Sequence, residues 1–292
     1  MHRRHFLTAL GAAPLAAQPK LAARPAVCIF SKHLAQLDWK QLGQRAKDLG
    51  FDGVDLTVRP RGHVLPERVA EDLPKAVEAI REAGLSVPMI TTDLTSIASP
   101  GARQTIDTMR RLGIPLFKPG YWRYSGDKSA LQSIVEARLG FRGLVALARR
   151  GGVSLGLHNH SGAYVGAGFW EFREMLMEAD PRYAGYYFDP GHATMEGGVG
   201  VWRVSLELAM PRLKMVAVKD AHWERQNSHW RPRWVPLGEG MVDWKTCFDH
   251  FARARFSGPL SLHVEYNTTN PQDAMARDAA FLGKMIAAAY GG

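Results

Sequence analysis

The chain has 292 residues, 46% of them hydrophobic, enough to bury a large core and of a length that suits one barrel or two ordinary domains. Its formal charge of +9 is spread over short clusters such as Arg59-Pro60-Arg61, Arg110-Arg111, Arg149-Arg150 and Arg231-Pro232-Arg233, without the long basic run of a nucleic-acid arm, so nucleic acid is not an expected partner. The two cysteines, Cys28 and Cys247, do not make a disulfide framework, and no run after the N-terminus reaches membrane-spanning length, so no stable membrane anchor is expected.

The first residues, Met1-His2-Arg3-Arg4-His5-Phe6-Leu7, set paired arginines before an apolar stretch from Phe6 to Ala17 and an Ala-rich segment. That is the order of an export signal, and Arg3-Arg4-His5-Phe6-Leu7 resembles the twin-arginine kind. Residues 1–23 are expected to direct the remainder, 24–292, to the periplasm or another extracytoplasmic space. Short apolar runs then alternate with longer helical patterns. Val27 to Phe30 precedes Trp39 to Leu49, Val54 to Val58 precedes Pro66 to Ala83, and Val87 to Thr91 precedes Ala102 to Leu112. Leu116 to Lys118 is followed by a helix from about Ser129 to Arg150, Val153 to His158 by Phe169 to Glu178, and Tyr186 to Asp189 by Val199 to Ala209. Met215 to Lys219 with Trp244 to Ala254, then Leu260 to Glu265 with Pro271 to Ala289, complete the series.

Eight strand–helix pairs without a linker predict an α/β chain folded as a single (β/α)8 TIM barrel. No Gly-x-Gly-x-x-Gly turn follows the first strand, where Cys28-Ile29-Phe30-Ser31-Lys32-His33 stands, which speaks against a dinucleotide-binding sheet. Ala221 to Met241 reads as one long loop after the seventh strand. Its Trp223, Trp230 and Trp234 suit a cover stacked on a sugar, or packing on the barrel or on a second copy in a homo-oligomer.

In such a barrel the active site is built at the C-terminal ends of the strands. Four runs end there in polar groups. In Val153-Ser154-Leu155-Gly156-Leu157-His158-Asn159-His160, period-2 alternation puts His158 and His160 on one face, and in Pro259-Leu260-Ser261-Leu262-His263-Val264-Glu265 it does the same for His263 and Glu265. Gly185-Tyr186-Tyr187-Phe188-Asp189 is followed by His192, and Met215-Val216-Ala217-Val218-Lys219-Asp220 ends in adjacent charges of which only one can point inward; Ala217 indicates the face of Lys219. Glu265, His263, His158 and Lys219 are the expected catalytic groups, since an interior carboxylate or imidazole is costly unless it is paired or used. Asp55 and Arg59 on the inner face of the second strand, His63 after it, and His160, His192 and Trp223 are the expected substrate contacts.

Taken in order, Gly50-Phe51-Asp52-Gly53-Val54-Asp55-Leu56, Leu157-His158-Asn159-His160, Phe188-Asp189-Pro190-Gly191-His192-Ala193, Val218-Lys219-Asp220 and Pro236-Leu237-Gly238-Glu239-Gly240 resemble the xylose isomerase-like TIM barrel superfamily of sugar phosphate isomerases and epimerases, which includes the endonuclease IV class (AP endonuclease family 2). The resemblance implies a divalent metal held by a carboxylate after the fifth strand, an Asp after the sixth, a His on the seventh and a Glu on the eighth. This chain matches it only in part: His158 stands at the first place, Asp189 at the second, Ala217 at the third and His263 at the fourth, with Glu265 two residues on. His158, Asp189, His263 and Glu265 are thus the expected ligands of Mn, Zn or Co, with His160 or His192 in support; the alternative is a metal-free site in which Lys219 neutralises charge and histidines move protons.

What the resemblance implies is an exported enzyme of the sugar isomerase or epimerase kind, abstracting a proton next to a carbonyl of a sugar or keto-sugar. Three alternatives stand beside it: a lyase or hydratase on oxidised (3-keto) sugars or glycosides, an endonuclease IV-like phosphodiesterase, and a non-catalytic sugar-binding barrel. The multi-zinc arrangement of the endonuclease class is not matched by these residues.

Overall fold

The apolar runs pair as eight parallel strands that close on themselves. A computed structural model describes residues 24–291, and the segment 1–23 read as an export signal lies outside the described residues. In chain order the elements are β1 (Val27–Phe30), α1 (Trp39–Asp48), β2 (Gly53–Val58), α2 (Val69–Glu82), β3 (Ser86–Thr92), α3 (Ala102–Leu112), β4 (Leu116–Lys118), α4 (Ala130–Gly151), β5 (Ser154–His158) and α5 (Trp170–Met177). They continue with β6 (Ala184–Phe188), α6 (Pro190–Gly197), α7 (Val201–Ala209), β7 (Leu213–Val218), β8 (Asp220–Gln226), β9 (His229–Val235), α8 (Trp244–Arg253), β10 (Leu260–Leu262) and α9 (Pro271–Tyr290). Around the barrel the order is β1-β10-β7-β6-β5-β4-β3-β2, so each barrel strand lies beside its predecessor, with only the β8–β9 hairpin interposed. This is the (β/α)8 barrel that the alternation predicts.

Strand periodicity divides the side chains into two populations. Outward residues such as Ile29, Leu56, Leu155, Leu157, Val216, Val218, Leu260 and Leu262 are buried against the helices and belong to one continuous core. Each contributes roughly 1.5–3 kcal/mol by leaving water. Inside the barrel the apolar cluster is small: Met89, Tyr187, Met215 and Ala217, with Leu116 against it. Polar groups occupy much of the remaining interior. Helix starts are locally encoded, as in α1, where Asp38 and Gln41 form a reciprocal capping box, and α4, where Ser129 and Gln132 do the same.

Two segments depart from the sequence expectations. Ala221 to Met241 is not a loop through most of its length: β8 and β9 pair antiparallel from Asp220↔Val235 to Gln226↔His229, joined across Asn227, whose φ of 56° is the left-handed conformation a tight hairpin turn requires. The second is α6, an unexpected short helix directly after β6. Asp189 caps it by accepting from the His192 N–H at 2.9 Å, and Pro190 fills its first turn. Among the described residues no helix is long and apolar enough to cross a membrane.

Candidate active site

The C-terminal ends of the barrel strands surround a cavity of about 100 Å3. Its wall includes Arg59, Lys118, Tyr121, His158, His160, Lys219, His263 and Glu265. A groove of about 490 Å3 at the opposite end, lined by Arg24, Asp52, Ala279 and Tyr290, is larger but lacks such a convergence of imidazoles and charges, and chemistry rather than size identifies the site.

At its centre is Asp189, fully buried at the junction of β6 and α6. One carboxylate oxygen, Oδ1, serves the helix cap; the other, Oδ2, faces three cationic or imidazole nitrogens: His158 Nε2 at 3.0 Å, Lys219 Nζ at 3.3 Å and His192 Nε2 at 3.8 Å. The close approach of α6 beneath β7 depends on Gly191, since a Cβ there would lie 2.7 Å from the Lys219 carbonyl oxygen. His158 Nδ1 lies 2.7 Å from the Tyr121 hydroxyl. These partners fit a neutral imidazole that donates from Nε2 to Asp189 and accepts at Nδ1 from Tyr121. His192 Nδ1 is bonded to Ser161 at 2.8 Å, while its buried Nε2 has no hydrogen-bond partner among the described residues. His158, Asp189 and His192 are also the one group of three metal-capable donors found among the described residues, all within 4.8 Å of one another.

Lys219 projects inward on the Ala217 face, between two carboxylates: its Nζ is 3.2 Å from Glu265 Oε2 as well as 3.3 Å from Asp189. Asp220 points the other way and accepts from Gly238, Val242 and the Trp244 indole, tying the base of the hairpin to α8. Glu265 also meets Lys32 at 3.1 Å. His263 stacks on Phe30, with ring centroids 4.5 Å apart, and its Nε2 lies 3.1 Å from the Tyr187 hydroxyl. His263 and Glu265 therefore stand outside the group formed by His158 and Asp189, and His192 takes the third place; the helix α6 turns that ring inward, which the strand pattern alone does not convey.

Burial and the lysines set the protonation states. Burial, reinforced by the Lys219 ammonium, pushes His158, His192 and His263 well below the usual histidine range, and His160 is lowered by the same two causes. Burial opposes ionisation of Glu265, but Lys219 beside it overrides this and holds the carboxyl far below the usual range. Lys219 is raised in spite of burial by Asp189 and Glu265. Lys118 differs: burial pushes it down to about 7.

The remaining expected contacts divide. Arg59 and His160 line the cavity. Asp55 lies beneath it, accepting from Ser261 and Thr91 hydroxyls at 2.8 Å each and from Tyr187 at 3.3 Å. His63 turns to Thr57 and the Leu34 carbonyl, both at 3.2 Å, and does not line the cavity. Trp223 is 40% exposed on the hairpin, whereas Trp234, two positions along the same face, packs edge-on against His192 at 5.0 Å and under Lys219 Nζ at 4.8 Å. Trp234 and Glu265 also line an outer groove of about 820 Å3, which shares Glu265 with the inner cavity. Lys118 and Tyr121 escaped the sequence reading, although Lys118 obeys the rule used for the others, a polar residue ending a barrel strand.

No curated protein matches the chain. Among solved structures it is similar to apo 3-keto-D-glucoside 4-epimerase, YcjR, from E. coli, with a TM-score of 0.70 and 16% identity over 89% of this chain and 100% of that one. It is also similar to a D-allulose 3-epimerase from Methylomonas sp. (TM-score 0.67, 16% identity, 90% of this chain and 98% of that one) and to a probable 3-DHS dehydratase, AsbF, from Bacillus anthracis (0.69, 15%, 89% and 98%). At these identities the likeness establishes the fold. The model of one family spans residues 44–285, most of the barrel: the chain belongs to the xylose isomerase-like TIM barrel family.

Proposed function

We propose that this protein is an enzyme of the sugar isomerase or epimerase kind, which removes a proton from a carbon next to a carbonyl of a sugar or keto-sugar. Isomerisation, epimerisation and β-elimination share that first step, and the names of the similar structures, two epimerases and a dehydratase, fit it. The observation that carries the reading is the convergence of His158, His160 and His263 with Arg59 and Lys219 on the wall of one small cavity. His160 Nδ1 lies 2.9 Å from the Ser161 carbonyl oxygen, to which it can only donate, so Nε2 is left with a lone pair to act as base. Glu265, held between Lys219 and Lys32, is a weak base and instead fixes the Lys219 ammonium. Arg59 and Lys219 supply positive charge for the enolate formed as the proton leaves. Trp234 offers a flat apolar face to a sugar, and the outer groove accommodates substituents too large for the inner cavity.

His158, Asp189 and His192 fit a borderline divalent ion such as Zn, Mn or Co: two imidazoles and a carboxylate are suitable donors, and the orphaned His192 Nε2 is a ligand atom without another use. When bound there, the ion supplies Lewis-acid polarisation of a substrate oxygen. Tyr121 orients the His158 ring through Nδ1.

The test is incubation of purified protein with a panel of keto-hexoses and 3-keto-glucosides, with products followed by NMR. An epimer, an isomer or an unsaturated sugar is the expected product. No product from any member, together with cleavage of an abasic oligonucleotide, overturns the reading in favour of a phosphodiesterase. We also infer from Arg3 and Arg4 that the enzyme works outside the cytoplasm; replacing both with lysine should hold a reporter fusion inside the cell, and undiminished export contradicts this.

A further inference from the structure

One buried charge at the site has no role in the steps above. The Lys118 side chain ends β4 and is only 2% exposed, and its Nζ has no hydrogen-bond partner and no ion pair among the described residues. Its near neighbour is the face of the Tyr121 ring, 3.4 Å from the centroid. A buried ammonium or amine left in this condition costs several kcal/mol unless something arrives to satisfy it. A scaffold role does not account for it, because an apolar side chain of the same length fills the space without that cost. Lys219, equally buried, has two carboxylates at 3.2 and 3.3 Å.

The surroundings indicate what arrives. Lys118 lines the cavity that also holds His160, its Nζ over the Tyr121 ring, and Tyr121, another lining residue, ties the two sides together because its hydroxyl is bonded to His158. Any substrate atom there meets up to three N–H donors and no competing carboxylate on this lysine. A carbonyl oxygen gaining negative charge satisfies that demand.

We propose that Lys118 is a catalytic residue that hydrogen-bonds the substrate's carbonyl oxygen and holds the negative charge that develops there. As the base takes the proton, the C–H electron pair becomes the new C=C bond and the C=O pair moves onto oxygen, where the Nζ–H donors hold it; reprotonation reverses the sequence. The proposal rests on the carbonyl-sugar reading.

Lys118→Met keeps the length and removes the donor, and Lys118→Arg keeps the charge. Both are to be checked for wild-type melting before use. Removal of an oxyanion donor typically lowers kcat by about 10²- to 10³-fold; Lys118→Met should do so with KM changed much less, and Lys118→Arg should recover part of the loss. A second readout does not need turnover. With lysines carrying ¹³C at Cε, the Lys118 resonance, recognised by its absence in Lys118→Arg, should move on addition of D-arabinonohydroxamate, an enediolate mimic whose binding is measured separately by calorimetry. Wild-type turnover in Lys118→Met, or an unmoved resonance with the hydroxamate bound, overturns the assignment while leaving the carbonyl-sugar reading intact. If the wild type neither binds the hydroxamate nor converts any keto-sugar, the reading itself falls and the assignment with it.

Discussion

Asp55 and Lys118 are two buried charges on the inner wall of one barrel, on β2 and β4, and the fold treats them in opposite ways. Asp55 accepts three hydroxyl hydrogen bonds, from Ser261, Thr91 and Tyr187, drawn from three different strands. Lys118, nearer the C-terminal rim, has none. A polar group buried with its partners complete links strands and belongs to the scaffold, whereas one buried without them calls for a separate account: Ser154 Oγ, at the start of β5, is such an atom away from the site, and Lys118 Nζ is one within the site's wall. His192 Nε2 falls on the same side of this division as Lys118, and both lie at the rim where barrel loops carry chemistry.

The comparison can be broken most forcefully at the rim. His160→Gln keeps a hydrogen-bonding side chain but removes the base, and should lower turnover by about 10²- to 10⁴-fold with little change in melting temperature; steady-state kinetics and calorimetry check both halves. A matching loss of stability would place His160 in the scaffold with Asp55.

At the Asp189 centre, protein purified without chelators should carry about one divalent ion per chain by elemental analysis, and Asp189→Ala well under half of that. Bound metal at about 100 times its dissociation constant adds about 2.7 kcal/mol to stability, so EDTA should lower the melting temperature of the wild type and leave that of the variant unchanged. Equal metal content in the two proteins contradicts the His158–Asp189–His192 assignment.

The scaffold side is sharpened by pH. Burial raises Asp55 from its ordinary value to about 6, against the help of its hydroxyl donors. The folded state therefore prefers the neutral acid: this stabilisation is complete below the unfolded value near 4 and is lost as the pH rises through 6. Relative to Asp55→Asn, which does not titrate, the wild type should lose up to about 3 kcal/mol between pH 4 and 7 in urea unfolding. Parallel curves for the two proteins contradict this. The smallest effects are expected at the hairpin. Trp234→Ala should raise KM by about five- to tenfold, as loss of roughly 1 kcal/mol of aromatic contact implies, and Trp223→Ala should change it less than twofold; the reverse order would mean that the hairpin closes differently over substrate.

Much of the fold was legible because barrel strands and helices carry strong periodicities. The expected bounds Val27–Phe30, Ala102–Leu112 and Leu116–Lys118 coincide with β1, α3 and β4. The hairpin was not, although Trp230, Pro232 and Trp234 alternate with His229, Arg231 and Arg233 in β9: the residues facing that apolar row mix Ala221 and Trp223 with Arg225, and Pro232 within β9 argues against a strand. Nor was α6, eight residues buried almost all round and so without an amphipathic stripe, although Asp189 followed by Pro190 is a helix-start signal. The inward lean of His158, Lys219 and His263 follows from strand parity. The partnership of His158 with Asp189 and His192, and the lack of partners at Lys118, depend on how separate strands and α6 meet across the barrel, which no local pattern encodes.

The most direct measurement is solvent isotope incorporation. A keto-sugar converted by the wild-type enzyme in D2O should gain deuterium at the carbon next to its carbonyl, seen by NMR as loss of that proton signal in both product and recovered substrate. Product that forms with this carbon entirely free of solvent deuterium, with none in recovered substrate after many turnovers and no slowing when that carbon carries deuterium at the outset, contradicts proton abstraction by His160.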